Sequence, residues 1–184
     1  MNPVTLRSDT DQYVRYPREI AAAVTLPAAA VALVAPGPPT VTTATAAAVA
    51  TACGALATRM ALVRVLAGHD VVTARTVQPY DALRDAPPQA LRGLGPKPDA
   101  DRVRVAGDRC AAVWHTWKAE GSPRDERVGV AGALALGAWC AWALGSAPRA
   151  QVRAEYALDA VPSDPMAALV LRSVLAGSAP TWDE

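Results

Sequence analysis

Between Val128 and Pro148 the chain reads VGVAGALALGAWCAWALGSAP and carries no charged residue. A stretch of that length either spans a bilayer or is wrapped on all sides by the rest of its own fold. Ala and Gly dominate it, with Gly129, Gly132, Gly137 and Gly145 inside, which suits close helix packing better than contact with lipid. Arg124 and Arg127 on one flank are matched by Arg149 and Arg153 on the other, so no orientation bias exists. The stretch is therefore read as a fully buried core helix. Everything else in the chain has to surround it.

The punctuation around it places three helices. Ser122 reads as an N-cap with Pro123 as the first helical residue, and Asp125 is spaced to close a capping box, with Glu126 also favourable there. Gly145 stops this helix, and a second runs through AQVRAEYALDA. Asp164 and Pro165 start a third that Gly177 ends. The short link at Gly145 makes the first two an antiparallel hairpin. With 52% hydrophobic residues, many of them Ala, and no Phe, the packing anchors are Trp114, Trp117, Trp139, Trp142 and the Leu and Val positions. Leu136, Trp139 and Leu169 are expected in the core.

Upstream, residues 1–14 read as a mobile arm. A short helix starts near Tyr16-Pro17 and runs to about Val24, with Pro27 ending it. The run 28–35, AAAVALVA, reads as a strand, with a short buried helix as the alternative; 71–77 alternates and offers it a pairing partner. From Ile20 to Thr58 there is no charge, but Pro27, Pro36, Pro38 and Pro39 interrupt the run as a membrane span. Thr42 or Thr43 caps a long helix to Ala67 with Gly68 as its stop. Its apolar stripe is Val49, Cys53, Leu56, Met60 and Val63, with Arg59 and Arg64 off it. Residues 79–99 form a Pro-rich connector. A helix over about 100–119, capped by Asp99 or Asp101 and ended by Gly121, repeats Val103, Ala106, Cys110, Val113 and Trp117 at threes and fours. Trp114 widens that stripe toward Leu136, Trp139 and Leu144.

The order of residues past Gly145 resembles two known patterns. Gly145, Ala150, Ala157 and Pro162 are spaced like the turn glycine, packing alanines and closing proline of a single tetratricopeptide helix pair. No second copy is present, and arrays of that type need about three. The segments ALGAWCAWALG, ALDAVPSDPMAALVL and LAGSAPTW, with YPREIAAAV near the start, resemble a mostly actinobacterial family, domain of unknown function 4192. Tyr16 stands where that family has Ser. The resemblance implies architecture and no chemistry.

Charge and cysteine content narrow the function. A net charge of +1 without basic clusters gives no footprint for nucleic acid. Cys53, Cys110 and Cys140 have no C-x-x-C spacing and read as reduced, buried small hydrophobes. The polar opening residues lack a signal peptide's apolar centre, so a cytoplasmic location is expected. His69-Asp70 reads as a histidine at a helix end, and His115 lacks partners at metal-ligand spacing. No phosphate-binding glycine loop occurs, and neither a metal nor a cofactor is expected.

The sequence thus predicts a mainly α-helical single domain over 15–184, of about six helices, with a two-stranded β element at 28–35 and 71–77 as an addition. The expected function is a non-catalytic interaction or scaffold module, contacting a protein partner or a second copy through helices 125–144 and 149–160. The alternative is a ligand-binding or enzymatic domain with a pocket lined by Trp114, Trp117, Trp139 and Trp142, and His115 or Arg109 as its polar element. A third option is a degenerate relative with a structural role alone.

Overall fold

The helix α5 (Arg127–Ala143) occupies the centre, and every residue from Val130 to Ala143 is buried. The computed structural model describes residues 9–68 and 72–183. Around α5 lie α1 (Asp9–Val34), α2 (Thr43–Ala52), α3 (Leu56–Ala67), α4 (Ala100–Ala119), α6 (Ala147–Ala160) and α7 (Pro165–Leu175), with short 3-10 turns at Val72–Arg75 and Gln89–Arg92. The fold is mainly α, with no strand among the described residues. One isolated parallel bridge joins Pro96 to Asp183. α4 and α6 flank α5 most extensively, and α2 and α7 close over the remaining sides.

Small residues set how near these helices come. A Cβ on Gly129 would sit 2.2 Å from the Ala50 carbonyl oxygen, and one on Gly132 2.1 Å from that of Cys53. Gly107 and Gly137 do the same between α4 and α5, where a Cβ on Gly107 would lie 2.8 Å from the Cys140 Cβ. Trp139, Leu136, Val103 and Val113 fill the volume left between backbones, while Leu169 is only half-buried.

Several expectations are corrected. The run 28–35 is not a strand: residues up to Val34 belong to α1, which passes through Pro17 and Pro27 without ending. Ala22, Leu26, Ala29 and Leu33 are buried at helical spacing, and burying them offsets the roughly 3 kcal/mol that an interior proline costs. Val72–Arg75 is a 3-10 turn, so nothing pairs with 28–35; residues 69–71, including His69 and Asp70, lie outside the described residues. Residues 1–8 of the expected arm do too, while Asp9–Val14 is helical.

The predicted helix over 42–67 is broken at Cys53–Ala55 into α2 and α3, which meet at 112°. Gly54 lies at the break, and the Thr58 hydroxyl donates to the Ala52 carbonyl, which a continuous helix would have used, and to that of Ala55, which also accepts the Arg59 amide. The bend turns Arg59 inward, against expectation, and leaves Leu56 exposed. Ser122 ends α4 rather than starting α5. Both Gly121 and Ser122 have positive φ, and the Ser122 amide donates back to the Trp117 carbonyl at 2.9 Å. α5 consequently begins at Arg127 with no side-chain cap, and the Asp125 capping box is not made.

Candidate functional site

The side chains that offered chemistry are mostly committed to the fold. Arg109 is buried and donates from Nη1 to the Ala32, Leu33 and Ala35 carbonyls at 2.8, 3.2 and 2.7 Å, and from Nη2 to Pro38 at 3.0 Å. The first three are acceptors at the end of α1 and the fourth lies in the loop beyond it, so the guanidinium caps the helix C-terminus and fixes the turn that follows. Arg153 donates to the Gly137 carbonyl and to Asp108, tying α6 to α5 and α4. Arg59 pairs with Asp164, the N-cap of α7.

The four tryptophans do not converge. Trp139 donates its indole N–H to Ala90, Trp142 to Ser178 and Trp117 to Pro123. Trp114 is half-buried, 5.0 Å from the Trp117 ring and 6.1 Å from Tyr156. His115 is exposed on α4. A fifth indole, unremarked in the sequence, fastens the C-terminal tail: Trp182 donates to Ala143 while Thr181 and Asp183 amides donate to Gly93 and Gly95. The tail lies so near that a Cβ on Gly93 would come within 2.7 Å of Pro180.

Burial pushes the Cys53 and Cys140 thiols up to about 12, against the opposing pull of Arg59 and Arg153 respectively, and pushes Cys110 well above the ordinary thiol range. Among the described residues no three His, Cys, Asp or Glu side chains are grouped to hold a metal ion. A cleft of about 470 Å³ lies outside α3 and is lined by Arg64, Thr73, Thr76, Gln78 and Asp85 among others; none of the tryptophans borders it.

What is left without a role is the outward face of α1. Pro17, Ile20, Ala21, Val24, Ala28 and Val31 share that face, and all are exposed. Ile20, Val24 and Val31 are 61%, 75% and 37% exposed. No charge interrupts the face beyond Arg18 and Glu19 at its start. α1 is thus apolar on both sides, and Pro17–Val34 is long and apolar enough to cross a membrane. Beside it a cleft of about 190 Å³ is bordered by Arg18, Ala21, Ala47, Ala50 and the first turn of α5. The sequence reading missed this face because it stopped the helix at Val24. The signal was present in the uncharged run from Ile20 and in the three-and-four spacing that continues through Pro27. On the two helices expected to carry the partner surface, α5 exposes nothing from Val130 to Ala143, and the large exposed apolar groups of α6 are Val152 and Tyr156.

Compared with protein-family models, with curated proteins and with solved structures, the chain matches none.

Proposed function

We propose that this protein is a non-catalytic interaction module that docks through the outward face of α1. The observation that carries this reading is the exposed, uncharged row Ile20, Val24, Ala28 and Val31, in a molecule whose buried Arg, Asp and Cys side chains are used in packing. Exposed apolar surface that is contiguous and poor in charge is what protein contacts require at their centre. The α5–α6 hairpin, a lone tetratricopeptide-like pair, serves the core rather than a partner, with Ala150, Ala154 and Ala157 fully buried in it.

A photoreactive residue at position 24, compared with one at position 155 on α6, tests the reading in the native host. A single protein adduct from position 24, mapped by peptide mass spectrometry and reproduced with purified components, is the expected result. Adducts from position 155 alone, or from neither, overturn it. A second reading, small-molecule binding, attaches to the cleft outside α3, whose volume of about 470 Å³ is in the usual range for ligand pockets. Its test is a ligand screen by thermal shift, in which a hit has to disappear with Arg64→Ala.

A further inference from the structure

We infer that the groove between the 93–96 loop and the end of α5 is a binding site for an extended peptide of a partner protein, one carrying proline and tryptophan two residues apart, and that residues 178–183 of this chain occupy it in cis. The site is separate from the α1 face, so neither reading rests on the other. Among the described residues, which form helices and no strand, the one β-like pairing occurs here. The Thr181 and Asp183 amides donate to the Gly93 and Gly95 carbonyls at 2.8 and 2.9 Å, donors and acceptors each two residues apart. Along the segment the half-buried Pro180 and Trp182 alternate with the exposed Ala179, Thr181 and Asp183. A peptide added to a sheet edge is read in this way: main-chain bonds hold it, and every second side chain enters the surface beneath.

The groove supplies the rest of the recognition. Trp142 donates its indole N–H to the Ser178 carbonyl at 2.8 Å, and the Ala143 carbonyl accepts from the Trp182 indole at 3.1 Å. Gly93 and Gly95 are buried beneath the segment, and a Cβ on Gly93 would stand 2.7 Å from the Pro180 Cα and 2.8 Å from the Trp142 ring. Only a bare backbone lets peptide and indole close on each other there. These walls are held without the segment. The Gly93 and Leu94 amides donate to the Ala90 and Gln89 carbonyls at 3.1 and 3.2 Å, and the buried Trp139 indole fixes Ala90 from below. The segment itself is held by little. α7 ends before it, Ala176 to Ala179 are exposed, and Pro180 and Trp182 are the two of its six side chains that are half-buried. Opening it uncovers little of the core, which puts it among local openings that need no global unfolding.

Fluorescence polarisation of a labelled SAPTWD peptide, read against the full chain and its full-length variants, is the direct test. In the parent the tethered segment competes at an effective concentration of roughly millimolar, so the peptide binds weakly. Trp182→Ala removes the indole from its seat on Ala143 and should bind the peptide about 10-fold tighter or better. Thr181→Pro deletes the amide that bonds Gly93 and should do the same, while a peptide with alanine in place of tryptophan binds none of the three proteins. Hydrogen exchange on the parent is the independent readout. The Thr181 and Asp183 amides should exchange through an opening that urea hardly accelerates, whereas amides inside α5 exchange only with global unfolding. Equal binding to parent and variants, or none to variants that keep the parent's circular dichroism and cooperative melting, overturns the inference. So does loss of cooperative melting in both variants, or exchange of the Thr181 and Asp183 amides only with global unfolding, since either makes the segment part of the core.

Discussion

Arg59 and Asp164, 105 residues apart in sequence, form a buried ion pair in which one guanidinium nitrogen reaches both carboxylate oxygens at 2.9 and 2.7 Å. Asp164 uses the same carboxylate to accept from the Met166 and Ala167 amides at 3.1 and 2.9 Å, so the N-cap of α7 is also the anchor of α3. Such a pair gains little over a well-packed apolar replacement, but half of it is costly to leave behind.

Asp164→Ala should therefore destabilise the fold by about 3–5 kcal/mol, since it strands the Arg59 charge and uncaps α7. The double change Arg59→Met with Asp164→Ser removes the charge, fills the volume and keeps a capping oxygen. Urea unfolding should place it within about 1–2 kcal/mol of the parent. A double variant as unstable as Asp164→Ala would show that the cost comes from packing at α7 and not from the stranded charge.

Arg109 carries a similar obligation without a counter-charge. Replacing it by Met leaves three carbonyls at the end of α1 and that of Pro38 in the following loop without their donor, and a loss of about 2–4 kcal/mol is expected. The local readout is hydrogen exchange: the Ala35 amide, bonded to the Val31 carbonyl at 2.9 Å, should exchange faster as the last turn frays. Arg104→Met is the control, because its pairing with Asp101 is largely solvated and its loss should stay within about 0.5 kcal/mol.

Gly132→Ala reverses the ordinary helix preference. On propensity alone the change gains about 1 kcal/mol. Here the new methyl would stand 2.1 Å from the Cys53 carbonyl oxygen, and backbone cannot swing away as a long side chain can. The α2–α5 spacing has to open, and a net loss of about 3 kcal/mol or more is expected by thermal unfolding. A stabilised variant would mean that α2 and α5 are not held at this separation.

How much of this was legible beforehand depended on whether the signal was local. The caps at Asp99 and Asp164, the stops at Gly145 and Gly177 and the stripe through Trp117 are written in neighbouring residues, and each is found where expected. The break at Gly54 was not legible, because 42–67 is periodic on both sides of it. The helix that packs against the bend through Gly129 and Gly132 comes about 75 residues later in the chain. Ser122 was misread for a related reason: a serine before a proline suits a helix start, but the preceding helix needed that residue's positive φ to end. Among the candidate site residues, the sequence grouped four tryptophans by spacing along α4 and α5. Three of their indole N–H groups, those of Trp139, Trp117 and Trp142, are claimed by Ala90, Pro123 and Ser178, which lie on separate turns and loops that no periodicity could bring forward.

The three thiols make stability depend on alkaline pH in a defined direction. Each is buried with its folded pKa raised above the ordinary thiol value of 9.0, to about 12 for Cys53 and Cys140. An unfolded chain ionises these thiols near 9 while the native protein holds them protonated, so the unfolded state is the one that loses protons first as pH rises. The contribution of Cys53 and Cys140 is complete below pH 9 and is lost progressively between pH 9 and about 12, and that of Cys110 is lost in the same direction as pH rises. Urea midpoints should thus be level from pH 7 to 8.5 and fall beyond 9, and Cys110→Ala should flatten the fall even though it leaves a small cavity. At neutral pH the same burial predicts that none of the three reacts with a thiol reagent on the timescale of an exposed cysteine, and that all three do so in urea. A fast-reacting thiol in the native protein would contradict the closed packing of α2, α4 and α5 on which the stability argument rests.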